Sequence, residues 1–322
     1  MKSFRVLLTR RWPSAAEQAI ASRHEVHLNP TDRAMNPPEL AEALREFDIV
    51  CPTVTDRLDH VLLEGGQVRA QALCNYGAGF SHIDVNSFAD HGIIVTNTPD
   101  VLTDDTADLA MLLILMCARK AGQGERLVRS GGWQGWRPTQ LLGKRIAGKT
   151  LGIVGFGRIG QAVARRARHG FGMRIIYSSP TAPHQDVITE LDAQAVELND
   201  LFACSDVVSL HLPGGPETRH LVDEHRLALM QGSAILINTA RGEIIDERAL
   251  TAALNGGIIG AAGLDVYEDE PQISPSLREL KNVVLLPHIG SATEETRIAM
   301  GMRVLANIDA IAAGLAPPDQ VC

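Results

Sequence analysis

Three side chains in this sequence have the chemistry to hold an anion and move a proton: Arg241, Glu270 and His288. Each follows a run that reads as a β-strand. Arg241 comes after Ile237-Asn-Thr-Ala240, Glu270 after Leu264-Asp-Val-Tyr-Glu-Asp269, and His288 after Val284-Leu-Leu-Pro287. In open α/β sheets ligands gather at the carboxyl ends of the strands, so residues far apart in sequence can converge on one crevice. An arginine presents a planar fork suited to a carboxylate and able to polarise a carbonyl. A histidine passes a proton near neutral pH. A glutamate bonded to that histidine fixes its tautomer and favours its protonated form. Each alone has an ordinary explanation: a surface ion pair, a structural histidine after proline, a glutamate ending an element before Pro271. Their joint occurrence behind a dinucleotide turn favours catalysis.

That turn is Thr150-Leu-Gly-Ile-Val-Gly-Phe-Gly-Arg-Ile-Gly160, followed by Gln161-Ala-Val-Ala-Arg-Arg-Ala167. The pattern is strand, glycine turn, helix. Gly155 permits the tight turn, Gly157 lets a pyrophosphate approach the backbone, and Gly160 lets the helix pack on its strand. The helix start offers unpaired N–H groups and the positive end of its dipole. The motif therefore predicts dinucleotide binding. An acid that would hold the adenosine ribose is expected about 20 residues further on. The strand at 173–177 ends instead in Ser178-Ser179-Pro180. The main device favouring NAD over NADP is missing, and Thr181 and His184 supply no arginine clamp.

The elements that must position these residues follow a βα repetition, which implies parallel sheets with helices on both faces. Strands are expected at Arg5–Leu8, Glu25–Leu28, 48–51, 70–75 and 93–96, with helices at 14–22, Pro37–Glu46 and 56–64. Residues 103–120 have the composition of a buried helix. Behind the glycine turn, strands are expected at 206–210, 234–238, 261–266 and 283–286. A final amphipathic helix at 294–313 is expected to return to the first domain, since the tail 314–322 holds no further strand. Two loops stand out. Asn75-Tyr-Gly-Ala-Gly-Phe80 can offer backbone N–H groups to a small anion or be a plain turn. Gly131-Gly-Trp-Gln-Gly-Trp136-Arg-Pro-Thr139 places two tryptophans in a glycine-rich loop of a chain with 4% aromatics, where the usual role is a packing anchor.

Composition narrows the function classes. The 322 residues are 45% hydrophobic and 21% charged, the balance of a globular protein of two domains. A net charge of −8 with scattered bases argues against a nucleic-acid partner. Five cysteines without CxxC spacing argue against structural disulfides and a metal cluster, and make a reducing cytoplasm the default. The longest apolar stretch, at 109–118, is too short to cross a bilayer.

The sequence resembles the D-isomer-specific 2-hydroxyacid dehydrogenase family, in its glyoxylate/hydroxypyruvate reductase branch, over nearly the whole chain. The resemblance rests on Asn97-Thr-Pro-Asp-Val-Leu-Thr103, 131–139, 148–160, Asn238-Thr-Ala-Arg-Gly-Glu243, Ala262-Gly-Leu-Asp-Val266 and Leu286-Pro-His-Ile-Gly-Ser-Ala292. It implies two doubly wound parallel-sheet domains with a cleft between them: a substrate-binding domain at 1–99 plus 288–322, and a dinucleotide-binding Rossmann domain at 100–287. It implies Arg241, Glu270 and His288 as the catalytic trio. Backbone amides around Ala78 and Gly79 bind the substrate carboxylate alongside Arg241. Thr106, Gly155, Gly157, Arg158, Ile159, Gly160, Ser178, Ser179 and Asp265 face the cofactor, with Asp265 on the nicotinamide amide. The resemblance further implies a homodimer in which Trp136 reaches the partner's site, and NAD(P)-dependent reduction of a small 2-oxo acid to the D-2-hydroxy acid. Ser178 in place of aspartate leans cofactor choice towards NADP. Asp108 stands where many members have glutamate. Other readings are a different D-2-hydroxyacid specificity, such as phosphoglycerate or hydroxyphenylpyruvate, and a nucleotide-sensing corepressor. Phosphite dehydrogenases carry a lysine where this chain has Ala78, which argues against phosphite.

Overall fold

The computed structural model describes residues 2–321. The chain forms two compact units. One runs to Leu102 and resumes at Ser291, and the other is Thr103–Gly290.

The first unit begins β1 (Arg5–Leu8), α1 (Ser14–Ala21), β2 (Glu25–Leu28), α2 (Pro37–Glu46), β3 (Ile49–Cys51), β4 (Ala72–Cys74), α3 (Val85–Asp90) and β5 (Ile94–Thr96). Its five strands are parallel in the order β2-β1-β3-β4-β5. Period-two alternation gives the sheet two apolar faces. Val6 and Leu8 join a core with Trp12, Ile20 and Met300, while Leu7 faces the other way into a core with Leu40, Leu44 and Phe88. The capping box of Asn36 and Glu39, with prolines in the first turn, starts α2 where the sequence places it.

The second unit holds α4 (Thr103–Arg119), α5 (Ala121–Arg129), β6 (Thr150–Val154), α6 (Arg158–Arg165), β7 (Arg174–Ser178), α7 (Gln185–Leu191), β8 (Gln194–Ala195), α8 (Leu198–Cys204), β9 (Val207–Leu210), α9 (Glu224–Leu229), β10 (Ile235–Asn238), α10 (Glu247–Asn255), β11 (Ala261–Leu264), α11 (Pro275–Arg278) and β12 (Val283–Leu285). Its seven parallel strands run in the order β12-β11-β10-β9-β6-β7-β8. Ile235 and Ile237 pack with α4 and α6 residues, and Leu236 packs on the opposite face with Leu250 and Leu254. The chain then returns to the first unit as α12 (Glu294–Ala312), which packs on α1. Gly301 permits that approach, because a Cβ there would lie 2.5 Å from the Ala16 Cβ.

The expected helix at 56–64 shrinks to a 3-10 turn at His60–Leu63. The Asp56 carboxylate is buried under Thr9 Oγ1 and the Thr53 N–H, and Leu58 bridges to Ile83, so the segment stays extended through Asp59. Among the described residues the tail forms no strand, but Gln320 makes an antiparallel bridge to Thr96. The seams between units fall at Leu102/Thr103 and Gly290/Ser291. His288 therefore sits in the same unit as Arg241 and Glu270. The cause is a set of bonds to Asp265, described below. No helix among the described residues is long and apolar enough to cross a membrane.

Candidate active site

β10, β11 and β12 are neighbours, and Arg241, Glu270 and His288 follow their carboxyl ends in turn. Buried Asn238 ends β10. Its side chain donates to Arg241 O (2.8 Å) and accepts from Ala240 N (3.0 Å), turning the chain so that Arg241 begins the loop. Gly242 then passes so close to the next loop that a Cβ would lie 1.8 Å from the Tyr267 carbonyl carbon. Only glycine lets the two loops meet there.

Glu270 is held at both oxygens. Tyr267 N donates to Oε1 (2.9 Å), and Oε2 lies 2.8 Å from His288 Nδ1. A carboxylate only accepts when ionised, so Nδ1 carries the proton of that bond. Burial works against the Glu270 charge, but the His288 bond and charge, the Tyr267 N–H and nearby Arg241 outweigh it, and the pKa falls below the usual range. Burial lowers the Arg241 pKa, against the opposing effect of Glu270 and Glu243. Arg241 makes no ion pair among the described residues. Its Nη1 donates to Ala240 O (2.6 Å).

His288 has a positive φ of 54°. Asp265 holds it there. His288 N donates to Asp265 O (2.9 Å), and the carboxylate accepts from Ile289 N and Gly290 N, both at 2.8 Å. Asp265 is 1% exposed, and burial raises its pKa against those two N–H groups and the His288 charge. Thr106 Oγ1 donates to Gly290 O (3.1 Å) and joins the same network.

The glycine turn lies at the amino end of α6. Gly155 has φ +85°, and a Cβ there would meet His211 O at 2.4 Å. A Cβ on Gly160 would meet Gly155 O at 2.4 Å. Phe156 stacks on Tyr177 at 4.3 Å and pins the turn. Gly157 is different: nothing lies within 4 Å of its Cβ position, and no side chain caps α6. An open approach to an uncapped helix start that carries Arg158 and Ile159 fits a pyrophosphate. Ser178 is the last residue of β7, paired with Val154, and its carbonyl accepts from Gly155 N (2.9 Å). Both Ser178 and Ser179 are half-buried beside the turn.

Other expected residues lie elsewhere. Ala78 and Gly79 belong to the first unit, in the turn after β4. Trp136 is 80% exposed, so it does not anchor its own loop. Asp108 accepts from Arg166 Nε (2.5 Å), with Asp104 on the same guanidinium, and so ties α4 to the π-helical turn that follows α6. Sequence reasoning missed Asn238, Gly242 and Tyr267. An asparagine ending a strand is a turn signal that could have been read. Tyr267 gives no such signal, since its hydroxyl donates to Leu286 O (2.7 Å), distant in sequence.

The family model for the NAD binding domain of D-isomer specific 2-hydroxyacid dehydrogenases matches residues 111–290. A glyoxylate reductase of Thermococcus litoralis is 46% identical over 98% of this chain and 96% of its own length. The chain belongs to the D-isomer specific 2-hydroxyacid dehydrogenase family. Solved structures of the family superpose along its whole length. A glyoxylate reductase from Paecilomyes thermophila does so with a TM-score of 0.87 at 34% identity, covering 100% of this chain and 99% of that one. An NADPH-dependent glyoxylate/hydroxypyruvate reductase from Sinorhizobium meliloti, in complex with NADP and malonate, gives 0.87 at 32%, covering 100% and 97%. The two parallel sheets are the fold of these family members.

The two glycines predict opposite outcomes. Gly157→Ala meets no neighbour, so its Tm should stay near wild type while NADPH binding, read by fluorescence titration, weakens. Gly160→Ala overpacks the turn and should cost about 1–3 kcal/mol of stability. A Gly157→Ala protein with unchanged affinity would remove the pyrophosphate from that position.

Proposed function

We propose that this protein reduces a small 2-oxo acid of the glyoxylate or hydroxypyruvate type to the D-2-hydroxy acid, using a reduced nicotinamide dinucleotide. The observation that carries the reading is the His288–Glu270 pair at 2.8 Å beside a half-buried Arg241 with no ion-pair partner among the described residues. The glyoxylate reductases among its relatives support the substrate class.

The residues divide the work. Arg241 takes the substrate carboxylate and polarises the C2 carbonyl, a role that its planar fork suits. The backbone amides of Ala78 and Gly79 complete the carboxylate's hydrogen bonds. When bound, the nicotinamide supplies the hydride that carbonyl reduction requires. Glu270 at Nδ1 orients the His288 ring and stabilises its cation, so the proton given to the developing alkoxide comes from Nε2. Thr106, Gly155, Gly157, Arg158, Ile159, Gly160, Ser178, Ser179 and Asp265 would hold the dinucleotide. The 1–102/291–322 unit would serve as the substrate-binding domain and 103–290 as the dinucleotide domain.

The test is steady-state oxidation of NADPH by glyoxylate and hydroxypyruvate. Wild type should turn over. His288→Ala should lose about 10²–10⁴-fold in kcat while NADPH binding is retained. Intact dinucleotide binding with no turnover of any 2-oxo acid would favour a sensor over an enzyme.

Cofactor choice should lean to NADPH, because no carboxylate ends β7 to repel a 2′-phosphate and two serines can donate to it. The NADPH-dependent Sinorhizobium meliloti relative supports the same preference. Ser178→Asp should shift the ratio of kcat/KM for NADPH over NADH by about one to two orders of magnitude towards NADH. A wild-type ratio well below one would assign the choice to another position.

A homodimer in which Trp136 completes the partner's site accounts for an unusual surface. Trp136 (80% exposed), Leu142 (63%), Val128 (59%) and Trp133 (52%) all come from one short segment. Scattered exposed apolar residues are ordinary, whereas a concentration marks an interface. Trp136→Ala should raise KM for the oxo acid while sedimentation velocity still shows a dimer. A monomeric wild type would refute the arrangement.

A further inference from the structure

We infer that Asn75, assigned no role so far, is the positioning residue that shapes the carboxylate-binding loop. The inference rests on the function proposed above. Asn75 ends the β4 run and is fully buried. Its Nδ2 donates to Gly77 O and to Gly79 O, both at 3.0 Å. A carbonyl can only accept, so the amide's NH2 must face the loop. Its Oδ1 therefore faces His82, whose Nε2 lies 3.1 Å away and donates to it. The carbonyl between the other two, Ala78 O, is taken by Asn97 Nδ2 at 2.7 Å. Thr98 N adds a second bond to Gly77 O.

The consequence follows from peptide geometry. In a trans peptide the N–H points opposite to the preceding C=O. The peptides of this loop are trans, since the one cis bond among the described residues is Glu270–Pro271. Holding Gly77 O inward therefore turns the Ala78 N–H outward. Holding Ala78 O turns out Gly79 N–H, and holding Gly79 O turns out Phe80 N–H. None of these three N–H groups finds an acceptor among the described residues. Successive backbone N–H groups left without internal acceptors can serve as a donor set for a small anion. With alanine at 78 the loop adds no charge, so its ligand is a planar carboxylate rather than a more highly charged oxyanion. Asn75 fixes two of the three carbonyls, and its position through His82 fixes which way its own amide faces.

Asn75→Asp tests the inference. The side chain keeps its shape and its bond to His82, but it cannot donate and it repels both carbonyls. KM for glyoxylate should rise about tenfold or more. The inhibition constant of oxamate, an amide analogue of the oxo acid, should rise in parallel. KM for NADPH and kcat should stay within about twofold. Asn75→Ser, able to donate to one carbonyl, should fall between wild type and Asn75→Asp, and it serves if the aspartate variant does not fold. Calorimetric binding of oxamate in the presence of the oxidised dinucleotide answers the same question without turnover. An inactive wild type would thus sink the proposed reaction and leave the loop still measurable. Unchanged oxamate affinity in folded variants, or a fall in kcat with KM constant, would overturn the role of Asn75.

Discussion

A single buried carboxylate decides where the candidate site can form. Asp265 follows β11 by one residue and reaches across to the segment after β12, where both its oxygens accept backbone N–H groups. Ionising a carboxylate away from water is unfavourable, and two N–H donors offset that cost in part. The left-handed φ of His288 is itself unfavourable for a residue with a Cβ, by about 1–3 kcal/mol. It persists because the chain on either side of the ring is tied to Asp265. The imidazole is thereby delivered from the end of one strand to Glu270 at the end of its neighbour. Parallel strands at about 4.8 Å separation make that reach short.

Both units solve their turns with the same material. Asn75, Asn97 and Asn238 stand just beyond or at strand ends; Asn75 and Asn238 spend their side-chain amides on the loop that follows, and Asn97 spends its own on the loop after the neighbouring β4. An amide can donate and accept at once, so it fixes a loop without adding charge. The loop's own charges and N–H groups are left for other work. That explains why the carboxyl edges of two sheets with different strand numbers can both present ordered loops.

Much of this was legible in the sequence because it depends on local pattern. The glycine turn, the period-two runs of Ile235–Asn238 and Arg5–Leu8, and the capping box before α2 are written in neighbouring residues. The adjacency of Arg241, Glu270 and His288 followed from one rule about strand ends. What was not legible depends on contacts between distant segments. The segment 56–64 has helical composition, yet Thr9 pulls Asp56 out of it from 47 residues away. The hydroxyl of Tyr267 and the Asp265 network likewise act across strands. No local feature near His288 reveals that the backbone there is bonded to Asp265.

The approach at Gly242 sets limits on how this protein can change. The loop bearing Arg241 and the loop leading to Glu270 touch backbone to backbone, with no side chain between them. A methyl group at 242 would push the two loops apart and take the arginine and the glutamate with them. Drift and laboratory evolution alike must therefore leave this residue alone, whatever substrate is being selected. Substitution meets less resistance where the chain has room, such as the exposed segment with its two tryptophans, where a Cβ at Gly135 would meet nothing within 4 Å. The loops that carry Arg241 and Glu270 are held together by a contact that tolerates only hydrogen.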